Sequence, residues 1–173
     1  MRPSVILTTL AVLAASCSHS DPAPAVPSAP TLEALDKPVV FSYPSVDDAP
    51  DVRSENLRGR PTILVFLSTY DLASQAQARF LSMVQRRREP PIHAAAIVLE
   101  PKENLPLVAM FRQTLGLEYP VALGDEELIA GGGPFGDVRS VPATVVLDAS
   151  GRIIAKRQGL LKDDELEALL GDR

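Results

Sequence analysis

The sequence predicts an α/β domain in which a central mixed β-sheet is flanked by helices. The run Thr62–Leu67 (TILVFL) is continuously apolar, as is typical of a central strand covered on both faces. It passes straight into an amphipathic helix whose apolar positions, Leu72, Ala76, Phe80, Leu81 and Val84, recur at helical spacing. Strand-like and helix-like patterns then alternate along the chain. Because α/β proteins place their sites where a strand turns into a helix N-terminus, we expect the function near residues 68–71.

Residues 1–16 have the pattern of an export signal. Arg2 supplies a minimal basic region, and the apolar run 5–15 is too short to span a bilayer. The single cysteine, Cys17, directly follows Leu-Ala-Ala-Ser, which resembles the lipobox of bacterial lipoproteins. The resemblance implies that Cys17 is lipidated and becomes the mature N-terminus. An ordinary export signal cut nearby, with Cys17 incidental, is the alternative.

Residues 17–38 are predicted to be a linker, with residues 39–173 as the domain. Five prolines, at positions 22, 24, 27, 30 and 38, give this segment an extended, semi-rigid character. At ~3 Å per residue, about 20 such residues would hold the domain up to ~60 Å from a membrane. We therefore expect a domain tethered to the membrane by Cys17 and facing the periplasm of the cell envelope. Ser18 after the cysteine favours the outer membrane over the inner one.

The formal net charge of −5 argues against a nucleic-acid partner, because a phosphate-binding surface needs clustered lysine and arginine. The only basic run is Arg86-Arg87-Arg88. It lies at the predicted end of the helix after the central strand, where cations suit the helix dipole. We interpret it as part of a solvated face.

The remaining elements are predicted in chain order from glycine and proline breaks and from the spacing of apolar residues. Strands are predicted at 39–41, 92–99, 119–123 and 141–147, with one more after the tight turn at Gly151, and helices at 104–115 and 161–170. Gly116 is the predicted stop of the helix before it. The glycine-rich segment 131–136 is predicted to be the most flexible piece of the domain. It is either a mobile connector or a flap over a groove.

Two motifs carry a resemblance to a known family. Residues 57–61 (LRGRP) lead into the central strand, and residues 141–148 (VPATVVLD) are followed, two residues later, by Gly-Arg-Ile. Together they resemble the membrane-tethered thioredoxin-like proteins of the TlpA and ResA type, from residue 39 to residue 170. The resemblance implies a thioredoxin-like fold with an N-terminal β extension. It also implies a cis peptide bond before Pro142, facing the site.

The chain lacks the dithiol of that family. Alignment of the two motifs puts Tyr70 at the family's aromatic position, with Asp71 and Ser74 at its two cysteine positions. Thiol–disulfide exchange needs a thiolate to attack and a second thiol to resolve the mixed disulfide. Val65 also replaces the polar residue that the family often keeps beneath the dithiol. We therefore expect no redox activity of this type, and the cysteine count likewise excludes a cysteine peroxidase or a copper chaperone of this fold.

No other catalytic or metal site is predicted. Asp71 is explained as the N-cap of the helix, with its oxygen aimed at the amide of the third helical residue, Ser74. A serine nucleophile would need a nearby base, and none is obviously placed. His93 opens a predicted strand and is interpreted as a structural residue. We expect neither a metal nor a cofactor.

The leading hypothesis is a lipid-anchored envelope protein that has lost dithiol chemistry and binds an envelope protein or an extended peptide. The resemblance places the groove at Tyr70, Asp71, Ser74, Val141 and Pro142, with main-chain pairing to the residue before Pro142. The alternative is a family member that acts as a non-catalytic subunit beside a cysteine-bearing partner. A third possibility is a scaffold whose groove is covered by residues 131–136.

Overall fold

The computed structural model describes residues 37–136 and 138–171. The predicted signal peptide, Cys17 and nearly all of the predicted linker lie outside the described residues. Among the described residues, no helix is long and apolar enough to cross a membrane.

Strands and helices alternate along the chain, as the sequence predicts. The strands are β1 (Ser42–Tyr43), β2 (Val52–Arg53), β3 (Thr62–Leu67), β4 (His93–Val98), β5 (Val121–Leu123), β6 (Ala143–Leu147) and β7 (Ile153–Gln158). The α-helices are α1 (Leu72–Arg87), α2 (Leu105–Leu115), α3 (Glu126–Ile129) and α4 (Asp163–Leu170). Short 3-10 turns cover Ser54–Leu57 and Lys102–Asn104. Gly116 ends α2 in the left-handed conformation, with a φ of 61°, as predicted.

Five strands form one mixed sheet in the order β5-β4-β3-β6-β7. Strands β3, β4 and β5 are parallel to one another, β6 pairs antiparallel with β3, and β7 pairs antiparallel with β6. The apolar run 62–67 is the central strand and is buried along its whole length. A mixed sheet flanked by helices was the predicted fold class, and the structure confirms it.

The side chains on the two faces of β3 belong to two separate hydrophobic cores. Ile63, Val65 and Leu67 pack with residues of α1, α2 and α4. Leu64 and Phe66 pack on the opposite face against the N-terminal extension and α3. Because successive side chains of a strand point to opposite faces, the continuous apolar run supplies both cores at once. Each fully buried side chain of this size contributes about 1.5–3 kcal/mol of burial energy.

The N-terminal extension differs from the prediction in its strand position. The predicted strand at 39–41 is not a strand, and the two-residue strand β1 pairs instead with β2. The amide of Val39 donates to the carbonyl of Gly151, 2.9 Å away, in the turn between β6 and β7. Val39 and Phe41 are nevertheless buried. The apolar pattern therefore identified two core residues correctly, although these residues do not form a strand.

The glycine-rich segment 131–136 is attached to the core near its C-terminal end. Phe135 is only 1% exposed. Its ring centroid lies 4.8 Å from that of Phe41 and 5.1 Å from that of Phe66. An aromatic cluster of this kind buries a large apolar area and so holds Phe135 in the core. The composition did not indicate this contact, because Phe135 is the one large hydrophobe among the six residues.

The described chain enters the domain at the pole opposite the turn after β3. Pro38 lies against Gly151, and the amide of Gly59 donates to the carbonyl of Ala149 at 2.8 Å. Thr62, the first residue of β3, pairs with Leu147 just before that hairpin turn. Residues 68–71 follow the other end of β3, so the length of the central strand separates the two poles.

Candidate functional site

The turn after β3 presents one exposed aromatic side chain. Tyr70 is 80% exposed. The next residue, Asp71, is the N-cap of α1, and its carboxylate accepts the amides of Ala73 at 3.3 Å and Ser74 at 2.8 Å. The predicted helix cap is thus confirmed, including the bond to the third helical residue. Leu72 was predicted to lie on the buried face of α1 but is 78% exposed, because this first helical residue precedes the part of the helix that packs on the sheet.

A side-chain hydrogen bond joins the two positions that align with the family's cysteines. The Ser74 hydroxyl donates to the Asp71 carboxylate at 2.7 Å and accepts the Ser68 amide at 3.1 Å. The Ser74 hydroxyl, together with the amides of Ser74 and Ala73, holds the pKa of Asp71 below its usual value, and these bonds outweigh the opposing effect of burial. An ionised carboxylate and a hydroxyl that already donates to it form a stable cap.

Ser74 itself does not reach the surface. It is fully buried beneath Asp71. Its predicted place among the surface residues of the groove is therefore corrected, because a side chain without solvent access cannot contact a bound chain. Ser74 supports Asp71 and the preceding turn from below.

Val141 and Pro142 lie at the same edge of the sheet as Tyr70 and Asp71. The β6 ladder starts at Ala143, which pairs with Phe66 near the end of β3. The Val141–Pro142 peptide bond is cis, as the resemblance implies. Pro142 is buried and its carbonyl accepts the amide of Gly159 at 2.8 Å, while Val141 is partly buried. The structure thus brings four of the predicted groove residues to one edge, with Tyr70 the most exposed of them.

The sequence did not reveal a buried carboxylate behind the Tyr70 turn. Glu100, two residues after β4, is 1% exposed. Its Oε1 accepts the Thr69 amide at 2.6 Å, the Thr69 hydroxyl at 2.8 Å and the Ser68 hydroxyl at 3.2 Å. Its Oε2 accepts the side-chain amide of Asn104 at 2.9 Å. The available signal was a charged residue directly after an apolar strand, at the edge where α/β sites gather.

An open cavity of about 300 Å³ lies beside Tyr70. One wall is the turn, through Thr69 and Tyr70, and the other wall is α2. Side chains of α2 on this cavity include Leu107 and Met110, both largely exposed. None of its lining residues carries a charge; they are Thr69, Tyr70, Gln75, Leu107, Met110, Phe111, Thr114 and Leu115. The exposed apolar surface therefore continues from Tyr70 onto α2.

The remaining predicted residues have structural surroundings. Val65 is fully buried in the core between the sheet and the helices. His93 begins β4 and is partly buried, and this desolvation, followed by the charge of Arg60, lowers its pKa. Within residues 37–136 and 138–171, no group of three or more histidine, cysteine, aspartate or glutamate residues could hold a metal ion.

No family model matches the chain, and no curated protein sequence matches it. Solved structures do match. A secreted Mycobacterium tuberculosis disulfide oxidoreductase homologous to E. coli DsbE is 19% identical, with a TM-score of 0.62, and the match covers 80% of this chain and 96% of that one. StoA from Bacillus subtilis is 18% identical, with a TM-score of 0.62 over 77% of this chain and 97% of that one.

A third match is a thiol:disulfide interchange protein of the thioredoxin family from Chlorobium tepidum. It is 24% identical, with a TM-score of 0.62, and the match covers 77% of this chain and 92% of that one. Similarity at these identities establishes the fold and not the activity. The chain therefore has the thioredoxin-like fold.

Proposed function

We propose that this chain is a lipid-anchored protein of the cell envelope that binds an extended segment of another protein and has no dithiol redox activity. The observation that carries the proposal is the hydrogen bond of 2.7 Å between Ser74 and Asp71, at the two positions that align with the family's cysteines. The sequence holds one cysteine, Cys17, far from this site along the chain. A thiolate and a resolving thiol are both needed for exchange, so the site cannot perform it alone.

The binding surface is the edge formed by Tyr70, Asp71 and Val141, with the buried Pro142 holding the Val141 backbone in its cis conformation. An exposed aromatic next to a strand end suits capture of an extended chain by main-chain pairing, with Tyr70 packing on its side chains. The chain enters the domain at the opposite pole, near Gly151. An anchor at Cys17, with outer-membrane placement as the preferred case, would therefore leave the Tyr70 edge directed away from its own attachment point.

The loss of redox activity is tested by thiol–disulfide exchange with insulin and dithiothreitol. The full chain carrying Cys17→Ser should show no rate above the buffer blank. The positive control adds Asp71→Cys and Ser74→Cys. In that variant the two thiols are oxidised to a disulfide as one insulin disulfide is reduced, and dithiothreitol restores them. A rate above the blank in the Cys17→Ser chain would contradict the proposal.

The binding role is tested by crosslinking in native envelope. A photoreactive amino acid at position 70 should capture a defined adduct, which mass spectrometry identifies. The control probe is placed at Ile154, which is also exposed but belongs to the opposite pole with Pro61 and Ala149. Adducts shared by both positions, or none at position 70, would count against the groove.

The same experiment separates the alternative role. The similarity to disulfide oxidoreductases favours a non-catalytic subunit beside a cysteine-bearing partner as the second candidate. An adduct that is itself a cysteine-bearing thioredoxin-fold protein would support that alternative. An adduct that lacks this fold would support capture of an extended chain. The mass of the mature N-terminus tests the lipid on Cys17.

A further inference from the structure

Glu100 is a buried carboxylate held only by neutral donors. Its four hydrogen bonds come from Ser68, Thr69 and Asn104, and each donor is uncharged. Burial, the largest single effect, raises the pKa of Glu100, but the bonds from Thr69, Asn104 and Ser68 together outweigh it and hold the pKa below its usual value. A buried anion is costly unless its oxygens are satisfied, so these donors must stay in place around it.

The two oxygens of Glu100 serve different elements. Oε1 accepts the three bonds from the turn after β3, immediately before Tyr70. Oε2 accepts the bond from Asn104, the N-cap of α2, whose own side chain makes no cap bond to that helix. The Asn104 side chain therefore bonds to Glu100 and does not cap the amides of α2.

These two elements are the two walls of the cavity beside Tyr70. Thr69 and Tyr70 form one wall, and Leu107 and Met110 of α2 form the other. We infer that Glu100 is a positioning residue: its carboxylate ties the Tyr70 turn to the N-terminus of α2 and thereby sets the spacing between the two walls of this cavity and the position of Tyr70. For its binding consequence this inference rests on the proposed function. Its structural consequence can be measured without any ligand.

The main test compares Glu100→Ala and Glu100→Gln in the full chain. A charged acceptor 2.6 Å from the Thr69 nitrogen should shift the Thr69 amide proton downfield. We expect Glu100→Ala to move that NMR signal upfield and to speed its hydrogen exchange. Glutamine keeps one acceptor oxygen and should recover part of both effects. With reduced, carboxymethylated α-lactalbumin as the extended-chain probe, Glu100→Ala should weaken binding by about tenfold and Glu100→Gln by less.

Glu103→Ala is the matched control, because Glu103 is exposed in the 3-10 turn that follows Glu100. If Glu100→Ala and Glu103→Ala give the same Thr69 signal and the same binding, Glu100 does not position the turn. If the wild-type chain does not bind the probe, the proposed function fails, while the Thr69 signal still tests the bond from Thr69 to Glu100 and the methyl signals of Leu107 and Met110 still test the coupling of the two walls.

A second variant covers the case in which Glu100→Ala does not fold. Asn104→Ala removes only the bond to Oε2. We expect it to leave the Thr69 signal in place and to shift the methyl signals of Leu107 and Met110. Unchanged methyl signals in a folded Asn104→Ala chain would overturn the coupling of the two walls.

Discussion

Two buried threonines on neighbouring strands differ in the hydrogen bonding of their hydroxyl groups. Thr62 of β3 and Thr144 of β6 are both fully buried. The Thr62 hydroxyl donates to the carbonyl of Leu57 at 3.1 Å. The Thr144 hydroxyl has no partner among the described residues. A buried hydroxyl without a partner costs free energy, whereas a paired one contributes about 1 kcal/mol to stability.

This difference predicts opposite effects of the same substitution. We expect Thr144→Val to raise the free energy of unfolding by about 1 kcal/mol, because valine removes an unsatisfied polar group at nearly the same shape. We expect Thr62→Val to lower it by about 1 kcal/mol, because the Leu57 carbonyl loses its donor. Urea unfolding followed by circular dichroism measures both. Two changes of the same sign would show that the hydrogen bond is not the deciding difference.

Single residues also show what the sequence could predict. Asp71 was predictable as a cap because its partner amides lie two and three residues ahead, within reach of a local rule. Glu100 was not, because it contacts a turn 31 and 32 residues earlier in the chain. The burial of Ser74 also required the structure, since a serine in the first turn of a helix can face either way.

At the scale of elements, α1 is attached to the segment before α4 by a buried amide. Gln77 is fully buried. Its Nε2 donates to the Leu161 carbonyl at 3.1 Å, and its Oε1 accepts the Leu161 amide at 2.7 Å. The two bonds fix the chain two residues before α4 begins. This contact is polar, so the apolar periodicity that predicted the two helices gave no indication of it.

We therefore expect Gln77→Leu to destabilise the fold although leucine is apolar and of similar size. Both Leu161 backbone groups lose their partner, and an unsatisfied buried group costs about 1–3 kcal/mol. The predicted loss in the free energy of unfolding is about 2 kcal/mol. Arg79→Leu, an exposed change on the same helix, should stay within about 0.5 kcal/mol of the wild type. Equal stability of the two variants in urea would refute the role of Gln77.

Across the whole molecule, the order of elements was largely predictable but the contacts between loops were not. Periodicity identifies strands and helices because each buries a regular face, and β3 shows this most clearly. Phe135 and the pairing of β1 with β2 depend on contacts distant in sequence. The helix-flanked sheet was therefore predictable from the sequence, whereas the contacts of the N-terminal extension and Phe135 were not, because they join residues far apart in the chain.

The distribution of shifted pKa values predicts two pH windows for stability. Burial, followed by the charge of Arg60, lowers the pKa of His93. The unfolded chain then binds a proton on this histidine more readily, so stability falls as the pH drops below about 6.5 and levels off below the folded pKa. The pKa values of Asp71, Glu100 and Asp148 are also lowered in the folded state. Their contribution is present above about pH 4 and is lost as the pH falls through the folded values.

Thermal unfolding of the full chain from pH 8 to pH 2 should therefore show two declines in the midpoint temperature. His93→Gln should flatten the decline near neutral pH while leaving the acid one, because glutamine does not titrate. Asp148→Asn should reduce only the acid decline, since it removes a carboxylate that accepts the Ser150 hydroxyl at 2.6 Å and the Arg152 side chain at 3.0 Å. The slope with pH, rather than the absolute midpoint, is the quantity to compare, because either substitution also removes local hydrogen bonds. An unchanged slope near pH 6 in His93→Gln would mean that the burial of this histidine is not linked to folding.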